Sequence, residues 1–209
     1  MNIWLRLRFP ILATGMVSLV AGLWAGLLLL GFDLPEGSST LYYGHGPLMA
    51  AGFLGVVIGL ERAVAYGGAW PYSAPALTGI GVILFVLGGG VAGPAMITGG
   101  AFMLVILNIA IIRSQYSLST LTMGAGSLAL LTADILWFMD VSIYKMVWWW
   151  AGFLILTIAA ERLELSRYLR PSKGAQTTFV VAIALLVAGM IHVTAGDETS
   201  AQLAGLGAL

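Results

Sequence analysis

The chain has 209 residues, of which 60% are apolar and 9% charged, with nine basic and nine acidic side chains that cancel. A soluble domain carries roughly 25% charged residues, so these few charges cannot clothe a surface of this size, and lipid must be the solvent for most of it. The lack of a basic excess excludes a nucleic-acid partner. The absence of cysteine excludes disulfides, thiolate metal sites and iron–sulfur clusters.

A membrane-crossing helix needs about 20 mostly apolar residues, and seven stretches qualify in chain order. Residues Phe9–Gly31 follow Arg6 and Arg8, and the run exceeds the roughly 7–15 apolar residues of a signal peptide, which predicts a retained first helix. Asp33-Leu-Pro-Glu-Gly-Ser-Ser then leads to a second span, Gly46–Tyr66. The third, Ala74–Val91, runs into the turn signal Gly88-Gly-Gly, and the fourth is Pro94–Ile112. The fifth and sixth are Ser117–Phe138 and Tyr144–Ala160, and the seventh, Thr177–Val193, follows the turn Pro171-Ser-Lys-Gly. An eighth apolar stretch begins at Ala201 and reaches only Leu209, too short to span. Unbroken apolar runs predict helices, since barrel strands alternate. The predicted fold is an all-α polytopic transmembrane bundle, one domain over residues 1–209.

Lys and Arg in short loops set orientation. With the N-terminus inside, the inner ends hold Arg6, Arg8, Arg62, Arg113, Arg162, Arg167, Arg170 and Lys173, and the outer ends hold only Lys145. Asp33, Glu36, Asp140, Asp197 and Glu198 fall outside. Tyr42, Tyr43, Trp137, Phe138, Tyr144 and Trp148–Trp150 gather at the outer interface, where amphipathic rings anchor helices.

Ala51-Gly-Phe-Leu-Gly-Val-Val-Ile-Gly-Leu-Glu-Arg62 recurs 100 residues later as Ala151-Gly-Phe-Leu-Ile-Leu-Thr-Ile-Ala-Ala-Glu-Arg162, with seven of twelve positions identical. In a chain with so few charges the repeated Glu-Arg is the informative part. Both copies run from outside to inside with four spans between their starts, which predicts parallel four-helix repeats with halves near 44–140 and 144–209. The second half stops within its third helix, so the expectation is a chain that continues or a partner that supplies the missing helices. Glu61, Arg62, Glu161 and Arg162 read either as interfacial ion pairs that fix helix depth or as a gate where the two repeats meet.

Ionisable groups inside a membrane are costly and mark candidate sites. His45 opens span two, His192 closes span seven and Asp134 lies about one turn below the outer end of span five, so all three share one depth. Neutral imidazole ligates metals and haem iron. Two imidazoles would hold a b-type haem; one imidazole with Asp134 would hold copper or another divalent ion. Interfacial or turn-forming roles for both histidines are the alternative, with Gly44, Gly46 and Pro47 shaping the helix start.

The segment Tyr43-Gly-His-Gly-Pro-Leu-Met-Ala-Ala-Gly-Phe-Leu-Gly-Val-Val-Ile-Gly-Leu-Glu-Arg62 resembles the opening helix motif of the NnrS family. The resemblance implies a polytopic protein of the bacterial cytoplasmic (inner) membrane, associated with haem and copper and with nitric oxide resistance, and it places a haem-ligand role on His45 alone. With two histidines and about seven spans, the chain departs from that family's pattern toward a divergent or truncated member. Three readings follow: a haem- or metal-binding membrane protein with its site at the outer face, a transporter or channel-like bundle gated by the Glu-Arg pairs, and a structural subunit. The first and third are compatible, as a small subunit of a redox or respiratory-type complex, and the partners expected are lipid with other membrane subunits or further copies of the chain.

Overall fold

In the computed structural model of the chain, residues 3–35, 39–166 and 172–196 are described, and every regular element among them is helical. They are α1 (Ile3–Leu29), a short α2 (Ser39–Tyr42), α3 (His45–Tyr66), α4 (Trp70–Val86), α5 (Ala92–Ser114), α6 (Leu118–Phe138), α7 (Ile143–Ser166) and α8 (Lys173–Ala195). Among the described residues six helices are long and apolar enough to cross a membrane, all except α2 and α4. The predicted sites at Glu36, Arg167, Arg170, Asp197 and Glu198 and the stretch Ala201–Leu209 lie outside the described residues.

Helix ends follow local chemistry. Gly31 after α1 and Gly67 after α3 take left-handed φ values of 85° and 83°, a conformation open to glycine at little steric cost. Ser117 caps α6 reciprocally: its hydroxyl accepts from Thr120 N–H while the Thr120 hydroxyl accepts from Ser117 N–H. Ser117→Ala removes this cap and is expected to lower stability by about 1 kcal/mol, read as a small fall in the thermal midpoint in detergent. An unchanged midpoint would show that the cap adds nothing to the fold.

The third predicted span is displaced. It was expected over Ala74–Val91, but α4 begins earlier, with a 3-10 turn at Trp70–Tyr72, and its α-helical part stops at Val86. Gly88 and Gly90 both adopt positive φ, so the glycine run forms the turn and leaves Leu87 and Val91 outside the helix. The result is about 25 Å long, short of the roughly 30 Å hydrocarbon layer.

The chain divides into two compact units, Met1–Ala110 and Ile111–Leu209. In the first, α1 and α3 run antiparallel along a row of small residues. A side chain at Gly15 would press on Val56, at Gly22 on Met49 and at Gly26 on His45, and Ser18 of the same row meets Gly52. Helices α1 and α4 lie parallel: Thr14 meets Gly79, and Arg8 Nε donates to Tyr72 Oη at 3.0 Å. Helix α4 is antiparallel to α5, with Thr78 against Gly100, Ile97 against Gly81 and Phe85 against Gly93. Lipid supplies no hydrophobic drive between helices, so close backbone approach and interhelical hydrogen bonds carry the packing. The glycines permit that approach.

In the second unit α6 and α7 form a closely packed antiparallel pair with Phe153, Leu156 and Ala160 buried along α7. Helix α8 runs antiparallel to α7 and buries only Met190, which sits against Gly152. Its Val180, Val181, Leu185 and Ile191 are exposed, as suits a helix whose surroundings are apolar.

Candidate functional site

His45 stands at the start of α3, half-buried against α1. Its Nδ1 lies 2.8 Å from the carbonyl of Gly22. A carbonyl only accepts, so Nδ1 carries the proton, and in the neutral ring the lone pair is on Nε2. Among the described residues no other hydrogen bond reaches the ring. Gly26 makes the position available, because a Cβ there would sit 2.8 Å from Nδ1. A histidine whose Nδ1–H is held by a backbone carbonyl has a fixed tautomer and ring orientation, the arrangement that supports ligation through the other nitrogen.

The helix below His45 is irregular. Residues Leu48–Leu54 are wound as a π-helix, with Gly55 N–H reaching back to Ala50 O. Single π turns concentrate at functional sites. The wider winding is matched by a contact from α1: the buried Ser18 hydroxyl donates to Leu48 O at 2.8 Å, and Ser18 Oγ occupies the space a Cβ at Gly52 would need. Met49, one turn beyond His45, packs its sulfur on Gly22. Thus Ser18, Gly22 and Gly26 of α1 fix both the ring of His45 and the π segment that carries it.

Asp134 lies in the second unit, fully buried on α6, and its Oδ1 accepts from Trp150 Nε1 of α7 at 3.0 Å. Trp150 is 3% exposed and therefore does not serve as the interfacial anchor expected of it. Trp149 donates to Thr194 Oγ1 of α8 at 2.7 Å, and Lys145 Nζ donates to Gly196 O at 2.7 Å. Lys145, the one basic residue assigned to the outer ends, thereby places its charge at the C-terminus of α8, where the helix dipole favours a cation. His192 is exposed near that end of α8, whereas Asp134 is enclosed between α6 and α7. Among the described residues no group of three or more His, Asp or Glu side chains is placed to hold a metal ion.

The repeated pairs differ in setting. Arg62 Nη2 and Glu61 Oε1 are 3.0 Å apart, with the Arg62 side chain 13% and the Glu61 side chain 55% exposed. In the second copy the order reverses: Arg162 is exposed and Glu161 half-buried. The glycines of the two copies also differ: Gly52 faces Ser18 of α1 first and Val82 of α4 second, whereas Gly152 faces Met190 of α8.

Sequence reasoning singled out His45 and Asp134 but not Ser18, the π segment or the bond from Trp150 to Asp134. The spacing Gly22-x-x-x-Gly26 was visible as a helix-contact signal. Its partner was not, because nothing local links position 22 to position 45.

The chain belongs to a family described as a domain of unknown function (DUF8744), whose model matches residues 8–209. No curated protein and no solved structure matches it.

Proposed function

We propose that this multi-pass membrane protein binds haem b through Nε2 of His45. The observation that carries the reading is the bond from His45 Nδ1–H to Gly22 O at 2.8 Å, which orients the ring so that in neutral imidazole Nε2 is the lone-pair donor. Haem suits this donor set better than a copper ion. A metal ion must draw most of its ligands from protein side chains, and the described residues bring together no such cluster. Haem arrives with its equatorial nitrogens and asks for axial ligands only. Ser18, Gly22 and Gly26 are positioning residues: they set the ring by fixing α1 against α3. Bound haem would supply one-electron redox chemistry. His192, on the exposed surface of α8, is the second imidazole available in this chain.

Seven crossings with the N-terminus inside a bacterial-type cytoplasmic membrane complete the proposal. Parallel packing of α4 along α1 and antiparallel packing along α5 support counting α4 as a crossing despite its length. The recurrence of Ala51–Arg62 as Ala151–Arg162 supports the parallel repeat. The near-complete exposure of α8 favours a role as a subunit whose last helices meet lipid or other chains.

The test is a reduced-minus-oxidised spectrum of protein purified in mild detergent, with a pyridine haemochrome assay on the same sample. A Soret band with a b-type α-band is expected, both lost in His45→Ala. A featureless wild-type spectrum, or a band that persists in His45→Ala, would overturn the assignment.

A further inference from the structure

Helices α1 and α4 are joined at one end by the Arg8–Tyr72 bond and further along by Thr14 on Gly79. Beside these contacts a groove of about 570 Å³ follows the two helices, lined by Leu7, Pro10 and Thr14 of α1 and by Tyr72, Ala76 and Ile80 of α4. Its walls are almost wholly apolar, and Leu7 and Ile80 are exposed along it. Arg8 is not one of the lining residues, but its half-buried guanidinium is bonded to the hydroxyl of Tyr72, which lines the groove beside Leu7.

Arginine within a membrane segment ordinarily pairs with an acid or reaches the interface. Arg8 has no carboxylate partner among the described residues; the ion pair of this unit is Glu61 with Arg62. Among the described residues no carboxylate matches the positive charge beside the groove. The guanidinium presents a planar fork of donors suited to phosphate, and only its Nε is used by Tyr72. A long apolar groove, with a fixed arginine bonded to one of its lining residues, is complementary to an anionic amphiphile.

We propose that the α1–α4 groove is a binding site for one anionic phospholipid, with an acyl chain between Thr14 and Ile80 and the headgroup phosphate on Arg8. Basic pockets between membrane helices recognise anionic headgroups in this way. The site is independent of the haem assignment, since it uses neither His45 nor the π segment.

The test uses the full chain in nanodiscs of equal phosphatidylglycerol and phosphatidylcholine. After mild delipidation in detergent, the retained lipid is quantified by mass spectrometry. Wild-type protein is expected to retain phosphatidylglycerol in about fivefold preference, the scale of one arginine's attraction for an anionic lipid surface. Arg8→Gln should erase the preference, Arg8→Lys should keep much of it, and Ala76→Leu should reduce retention of both lipids by filling the groove with the charge intact. Arg8→Gln is compared at matched helical content and elution volume; if it fails to fold, Ala76→Leu still tests the groove. Inorganic phosphate added during delipidation should not displace the lipid, because it has no chain to occupy the groove. Equal retention of the two lipids by wild type, undiminished preference in folded Arg8→Gln, unaltered retention in Ala76→Leu, or displacement by phosphate would each overturn the proposal.

Discussion

Gly52→Val is expected to be the most damaging single substitution in the first unit. A Cβ at position 52 collides with Ser18 Oγ and lies 3.0 Å from Val82 Cγ2, so it meets α1 and α4 at once. Overpacking a filled interior costs about 1–3 kcal/mol and sometimes more. The Ser18 hydroxyl cannot rotate away without losing its bond to Leu48 O, which adds about 0.6 kcal/mol by the average for interhelical bonds in membranes. A total of about 3 kcal/mol corresponds to a fall of roughly 6–12 °C in thermal midpoint for a chain of this length. Ser18→Ala should cost only the bond. Gly99→Ala is the control, since nothing lies within 4 Å of an added Cβ there and alanine is the better helix former by up to about 1 kcal/mol. If Gly52→Val kept the wild-type midpoint, the close packing of α1 on α3 would be wrong. That packing also places the Gly22 carbonyl under His45. Any Gly52→Val protein that survives purification should therefore bind less haem, although the substitution lies well below the histidine.

The parts of the fold legible in the sequence were those decided by local chemistry. Unbroken apolar runs gave the long helices, and Gly88-Gly-Gly carried turn chemistry even though the third span was drawn across it, because positive φ is chiefly a glycine property. The third span slipped because apolar content alone extended it through Leu87 to Val91, across glycines that turn the chain instead. What stayed hidden was tertiary. The π winding of Leu48–Leu54 coincides with a bond donated to Leu48 O by Ser18, thirty positions away; the residues Leu-Met-Ala-Ala-Gly-Phe-Leu carry no local sign of it. The tryptophans show a different limit. Trp148, Trp149 and Trp150 are consecutive on one helix, so they fan out at about 100° each and cannot all face the same interface. Composition grouped them as anchors. The rotation of α7, set by its packing on α6, sends Trp150 inward to Asp134 and Trp149 toward Thr194.

That inward pair gives the second large effect. Asp134 is fully buried and Trp150 is 3% exposed, and the bond between them joins α6 to α7. Trp150→Phe keeps most of the apolar volume but removes the donor, leaving Oδ1 buried without its indole N–H. Losing one partner of a buried bond costs about 1–3 kcal/mol, whereas replacing both partners with apolar groups is close to neutral. The double variant Asp134→Leu with Trp150→Phe is therefore expected to be more stable than Trp150→Phe alone, with a coupling within the 0.5–3 kcal/mol range of contacting residues. Thermal unfolding of the four proteins in one detergent measures it. Additive effects would show that the indole–carboxyl bond contributes nothing to the α6–α7 pair. The same set separates structure from function at Asp134. If the carboxyl serves only to hold α7, the double variant restores whatever haem content or complex assembly Trp150→Phe loses. If Asp134 contributes to a site, stability returns in the double variant and that property does not. The sequence singled out Asp134 as an ionisable group at the depth of the two histidines. The structure adds the partner whose removal makes the two roles experimentally distinct.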